Sequence, residues 1–163
     1  MGTQLWPVSC RQEGMHPLVA LPSTRHAHSA TTLLVHVVWS THRRAPWLDI
    51  SFDPRLAELL ARLAKRVGTE TLAIGNAADH VHVVARHPPS VAVSDVVQKL
   101  KGASAHAMRA AVPHATGHLW QAGYWAESVG PFELPAVVAY VRDQRAHHDG
   151  HREASEPWES QVP

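Results

Sequence analysis

A chain of 163 residues with 45% hydrophobic content is long enough for one domain with a sizeable core. A formal net charge of +1 excludes a generic polybasic binder, and the single cysteine, Cys10, excludes an internal disulfide framework and suits a reducing cytoplasm. No apolar run is long enough to span a bilayer and no signal peptide opens the chain, so a cytoplasmic protein without a membrane span is expected.

Residues 1–29 mix Pro, Ser, His and Arg without periodicity and are read as a disordered arm, or as an extension from a misplaced start codon. Thr31 to Ser40 is rich in β-branched and apolar residues, as a central strand would be. Arg43 and Arg44 follow at its end; beside Trp39 and Trp47 they could hold a phosphate backbone and stack a base, or form a solvated strand exit with Trp47 on the core. Asp53 as N-cap and Pro54 at the first helical position open a helix whose Leu56, Leu59, Leu60, Leu63 and Val67 recur at helical spacing, with Gly68 placed to stop it. Thr71 to Ile74 is a short strand, and Gly75-Asn76-Ala77-Ala78 turns it into the strand of His80 and His82. Ser94-Asp95 caps a second helix reaching about Ala111, with Val96, Val97, Leu100, Ser104, Ala107, Met108 and Ala111 inward. Its Lys99 and Lys101 lie on a basic surface that is either solvated or a DNA contact. His118 to Val129 supplies another strand, and Glu133 to His148 a third helix with Pro135 early. The domain spans residues 30–150, and residues 151–163 form a flexible tail. This succession predicts an α+β fold of ferredoxin-like topology, an antiparallel sheet with helices on one face, plus a C-terminal helix carrying Tyr140.

The chemistry centres on Asp79-His80-Val81-His82-Val83-Val84. On a strand, alternate side chains share a face, so His80 and His82 stand together while Val81 and Val83 enter the core. With 14 histidines in the chain an H-x-H pair arises about once by chance, and His26-Ala27-His28 is a second one without strand context. The third helix holds Tyr140, Gln144, His147, His148 and His151. Tyr140 and Gln144 are spaced i, i+4 and share a face. Gln144 could complete a His-His-Gln set, and mixed imidazole and oxygen ligands suit Mg²⁺ or Mn²⁺ at an open site, though imidazole also accepts zinc. Tyr140 would be the nucleophile, because Tyr124 has no ligand partner four residues on.

Five ordered stretches between residues 31 and 150 carry a resemblance: HVVWSTHRR, ADHVHVV, VVQKLKGASA, LWQAGYWAESVG and VVAYVRDQRAHH. Together they resemble the HUH-type single-tyrosine transposases of small insertion sequences and their REP-associated relatives. The resemblance implies that His80, His82 and Gln144 hold Mg²⁺ or Mn²⁺ and that Tyr140 is the catalytic tyrosine. It further implies cleavage and rejoining of single-stranded DNA at hairpin-marked ends through a 5′-phosphotyrosine. A homodimer is implied, often with the tyrosine helix exchanged between partners. His42 stands where relatives often have lysine, and the N-terminal arm has no counterpart. Competing readings are a non-catalytic, domesticated hairpin-binding protein and a replication-initiator or relaxase-like nickase. A zinc deaminase is disfavoured, since one cysteine cannot form a C-x-x-C ligand pair.

Overall fold

The computed structural model describes residues 24–26, 29–112, 115 and 117–149. Most of the expected arm, the whole of the expected tail, and the side chains of His26, His147 and His148 lie outside what is described, as do His28 and His151. Thr24–His26 (β1) pairs antiparallel with Ser29–Thr31 (β2) as a short ribbon. The main sheet comprises Leu34–Ser40 (β3), Glu70–Asn76 (β4), His80–Arg86 (β5) and Trp125–Ser128 (β6), in the order β4-β5-β3-β6 with every neighbour antiparallel. Helix α1 (Asp53–Arg66) joins β3 to β4 and α2 (Val93–Met108) joins β5 to β6. This is the ferredoxin-like β-α-β-β-α-β succession, with its first and third strands in the centre.

The period of two divides β5 between two cores. Val81, Val83 and Ala85 face α1 and α2, where they pack with Val37, Trp39, Leu56, Leu60, Val97 and Leu100. Val84, on the other face, packs with Leu34, Ala73, Leu134 and Val141 beneath α3 (Leu134–Arg142). Among the described residues no helix is long and apolar enough to cross a membrane.

Several elements differ from the sequence expectation, each for a local reason. Asp53 is the first helical residue of α1 rather than its N-cap; its carboxylate bonds instead to Asn76 and to Arg145 of α4 (Gln144–Asp149). The stop at Gly68 is as expected, with φ at +75° just past the last turn, where a Cβ would be strained. Helix α2 ends at Met108, and Ala107 and Ala111 are exposed. Trp39 does not reach a nucleic-acid base: it is fully buried, edge-on to Trp120 at 6.0 Å. Gly75 lies inside β4 and not in the turn. The expected strand from His118 shrinks to Trp125–Ser128, because the carbonyls of Gln121, Ala122 and Gly123 turn away from the ladder to accept hydrogen bonds from Lys101. The third helix breaks at Asp143, whose φ of −97° and ψ of 14° separate α3 from α4. Its N–H is shared between the carbonyls of Ala139 and Tyr140, the three-centre pattern of a tightening last turn.

Candidate active site

The face of the sheet under α3 carries a line of imidazoles. His36 on β3 and His80 and His82 on β5 share this face, since His36 pairs in register with Val84 and Val38 with His82. All three are buried, and the His80 and His82 rings lie 4.9 Å apart. Each ring of the pair is tied through its Nδ1. The Asp79 carboxylate accepts from His80 Nδ1 at 2.7 Å, and His82 Nδ1 lies 2.9 Å from His36 Nε2. Each H-x-H ring thus has its Nδ1 engaged within the protein.

Asp79 joins the pair to the strand exit. Burial raises its carboxyl, but the hydrogen bond and charge of His80 and then the Arg44 guanidinium outweigh that and hold it at about 2. Arg44 Nε donates to Asp79 at 2.8 Å across a 40% exposed side chain. Arg43 and Arg44 occupy the left-handed region with φ of 56° and 53°, a conformation costing non-glycine residues about 1–3 kcal/mol each. The turn is held by Arg43 N–H donating to Gln121 Oε1 and Arg44 N–H donating to the Thr41 carbonyl. The Arg43 side chain itself is exposed.

The tyrosine helix supplies the other half from the same chain. Gln144 is almost fully buried, and its Oε1 lies 3.2 Å from His80 Nε2. Gln144 Nε2 donates to the Tyr140 carbonyl at 3.3 Å, which fixes the amide oxygen toward the histidines despite the helix break. The half-buried Tyr140 ring stands edge-on to His82 at 5.6 Å and to His36 at 6.4 Å. Two features seat this helix. A Cβ on Gly75 would lie 1.7 Å from the Val141 carbonyl oxygen, so only glycine lets α3 rest directly on β4, opposite His82 in register. Arg145 grips Asp53 at 2.7 and 2.9 Å and donates to the Leu48 carbonyl at 2.7 Å, clamping α4 to the start of α1.

The donors suit a divalent ion. Among the described residues no three His, Cys, Asp or Glu side chains form a metal-ligating group; the Gln144 amide oxygen lies against His80, whose ring neighbours that of His82. The amide oxygen faces an imidazole nitrogen whose other nitrogen is already held by a carboxylate, the usual outer support of a metal-ligating histidine. The roles of His36, Asp79, Gly75 and Arg145 escaped the sequence reading. A histidine in the middle of the apolar TTLLVHVVWS run was the one signal that could have flagged the first.

Lys99 is exposed on α2. Lys101 lies elsewhere, at a groove of about 740 Å³ between α2 and residues 117–124. Burial pushes its amine down to about 8, and the ammonium donates to the carbonyls of Gln121, Ala122 and Gly123 at 2.5, 2.9 and 2.7 Å. Its hydrogen-bonding capacity within this chain thus serves the loop that precedes β6. Lys101→Met should destabilise the fold by about 1–2 kcal/mol and speed hydrogen exchange at Gln121, whose N–H bonds to the Ser40 carbonyl. Unchanged exchange at that amide would show that the loop holds without the lysine.

A ferredoxin-like domain whose H-x-H strand is met by a tyrosine-bearing helix is the architecture of one class of DNA-processing proteins. The family model of IS200-like transposases matches residues 29–144, and the chain belongs to that HUH-type tyrosine transposase family. It is 32% identical over 90 residues to the ISDra2 transposase TnpA of Deinococcus radiodurans, an alignment covering 55% of this chain and 64% of that protein. The chain thus spans just under two thirds of that relative's length. A crystal structure of a transposase from the same organism superposes with a TM-score of 0.60 at 28% identity, covering 74% of this chain and 97% of the other. A REP-associated tyrosine transposase, solved bound to a REP hairpin, shares the fold with a TM-score of 0.55 at 16% identity, covering 78% and 74%.

Proposed function

We propose that this protein is a metal-dependent transposase that cleaves and rejoins single-stranded DNA at hairpin-marked ends through a 5′-phosphotyrosine on Tyr140. The observation carrying this reading is the meeting of Gln144 Oε1 with His80 Nε2 at 3.2 Å, beside a tyrosine packed on His82. Groups far apart in sequence, His80 and His82 on one strand and Tyr140 and Gln144 near the end of the chain, lie together, which supports this reading. The hairpin in the REP-associated neighbour supports the same class of substrate here.

His80, His82 and Gln144 would hold Mg²⁺ or Mn²⁺, which when bound polarises the scissile phosphate and neutralises charge growing on it. Tyr140 Oη attacks phosphorus and gives up its proton; the bond from phosphorus to the 3′ oxygen breaks, and that oxygen leaves as a hydroxyl after taking up a proton. The phosphodiester energy is kept in the tyrosyl ester, so the 3′-OH of another strand can reverse the step without ATP. Arg43 and Arg44, at the mouth of the site, and Lys99 on α2 would contact the DNA backbone. The functional unit would be a homodimer, with each tyrosine helix seated on its own chain's histidines.

Incubating the full chain with single-stranded DNA from its own genomic flanks and Mg²⁺ or Mn²⁺ should yield a covalent complex that survives denaturing electrophoresis. His80→Ala and His82→Ala should each cut its formation by at least roughly 100-fold while hairpin binding changes by only a few-fold. Hairpin binding by the unaltered chain, with no adduct under either metal, would reduce the protein to a binding module.

A further inference from the structure

His36 has no place in the reaction just described, yet it is 3% exposed on a central strand and touches both halves of the site. Its Nε2 lies 2.9 Å from His82 Nδ1, with the two rings stacked at 5.1 Å, and its Nδ1 lies 3.2 Å from Glu127 Oε1 on β6. Trp125 covers it edge-on at 5.5 Å. A buried imidazole packed between two strands, with both nitrogens engaged, is fixed in its role by its partners' chemistry.

The proton assignment follows from the end of the line. An ionised carboxylate only accepts, so His36 Nδ1 donates to Glu127. A His36 ring carrying its one proton at Nδ1 has a lone pair at Nε2, placed to accept the Nδ1–H of His82. That leaves the lone pair of His82 on Nε2. His80 reaches the same state more directly, through Asp79. The two histidines of the H-x-H pair are thus supported unequally, one by a carboxylate and one by an imidazole backed by a carboxylate.

We propose that His36, oriented by Glu127, is a positioning residue that holds His82 as its Nδ1–H tautomer and so makes Nε2 its metal-binding nitrogen. Its consequence for metal affinity rests on the metal-dependent reading above; its consequence for the tautomer does not. Outer partners of this kind alter metal affinity by about 10–100-fold, and that is the size expected here.

The test has one arm without metal and one with it. In the metal-free full chain, long-range ¹H–¹⁵N NMR on histidine-labelled protein, with His82 assigned by its loss in His82→Ala, should show His82 protonated at Nδ1 only. A His82 ring protonated at Nε2 instead overturns the proposal, whatever the protein does with metal. In the second arm, Mn²⁺ is titrated against the full chain without DNA and free Mn²⁺ is read by electron paramagnetic resonance. His36→Phe should weaken binding 10–100-fold, and His36→Gln, whose amide oxygen can accept the same Nδ1–H, should recover most of the loss. Glu127→Ala acts from a third-exposed side chain, which leaves the core intact if His36→Phe does not fold, and should weaken Mn²⁺ in the same direction. Wild-type Mn²⁺ affinity in Glu127→Ala and in a folded His36→Phe overturns the positioning role. Absence of Mn²⁺ binding by the unaltered chain sinks the metal reading instead, and the tautomer arm still decides the relay.

Discussion

Tyr140→Phe should lower formation of the covalent protein–DNA complex by more than roughly a thousand-fold, to background, with nicking lost in parallel. The substitution is clean because the phenyl ring keeps the edge-on contacts with His82 at 5.6 Å and His36 at 6.4 Å. Only the hydroxyl goes, so hairpin binding and thermal stability should stay near those of the parent. The companion variant is Tyr124→Phe. Tyr124 is 36% exposed beside the Lys101 groove, apart from the histidines, and its loss should leave the adduct unchanged. An adduct that persists in Tyr140→Phe and disappears in Tyr124→Phe would reassign the nucleophile.

Gly75→Ala should be nearly as damaging without touching a reacting atom. The new Cβ would stand 1.7 Å from the Val141 carbonyl oxygen and 2.8 Å from its carbon, both backbone atoms that no side-chain rotation can move aside. Helix α3 must therefore lift by more than an ångström, one residue away from Tyr140. Overpacking of this kind costs about 1–3 kcal/mol of stability. A misplacement of about 1 Å in a reacting group can cost about 100-fold in rate, so adduct formation should fall by that order. Gly102→Ala is the matched control: its Cβ meets nothing within 4 Å on the exposed side of α2, and the change should stabilise the helix by about 0.5–1 kcal/mol. Equal activity of the two variants would mean that α3 does not work from this seat.

Gly75 shows where sequence reading falls short. Glycine before Asn76 reads as the start of a turn, and local chemistry offers no other reason for it. The actual reason is the backbone of Val141, which arrives from far along the chain. The strand expected from His118 failed similarly, since the Lys101 ammonium captures three carbonyls that a ladder would otherwise use. Trp39 could be read as an exposed base-stacking ring because strand period alone does not say which face is covered. Trp120 and the two helices cover it.

Periodicity by itself determined much of this protein. The leucines of α1 placed a helix, the alternation in β5 put His80 and His82 on one face, and the i, i+4 spacing put Tyr140 beside Gln144. Each is a local geometric fact, set by the repeat of one element. The tertiary structure alone decided that Gln144 turns its oxygen to His80 and that Arg145 and Gly75 seat the helix. It also decided which histidine stands behind His82. A repeat fixes the direction of a side chain relative to its own backbone; the partner it meets is set by how distant segments pack.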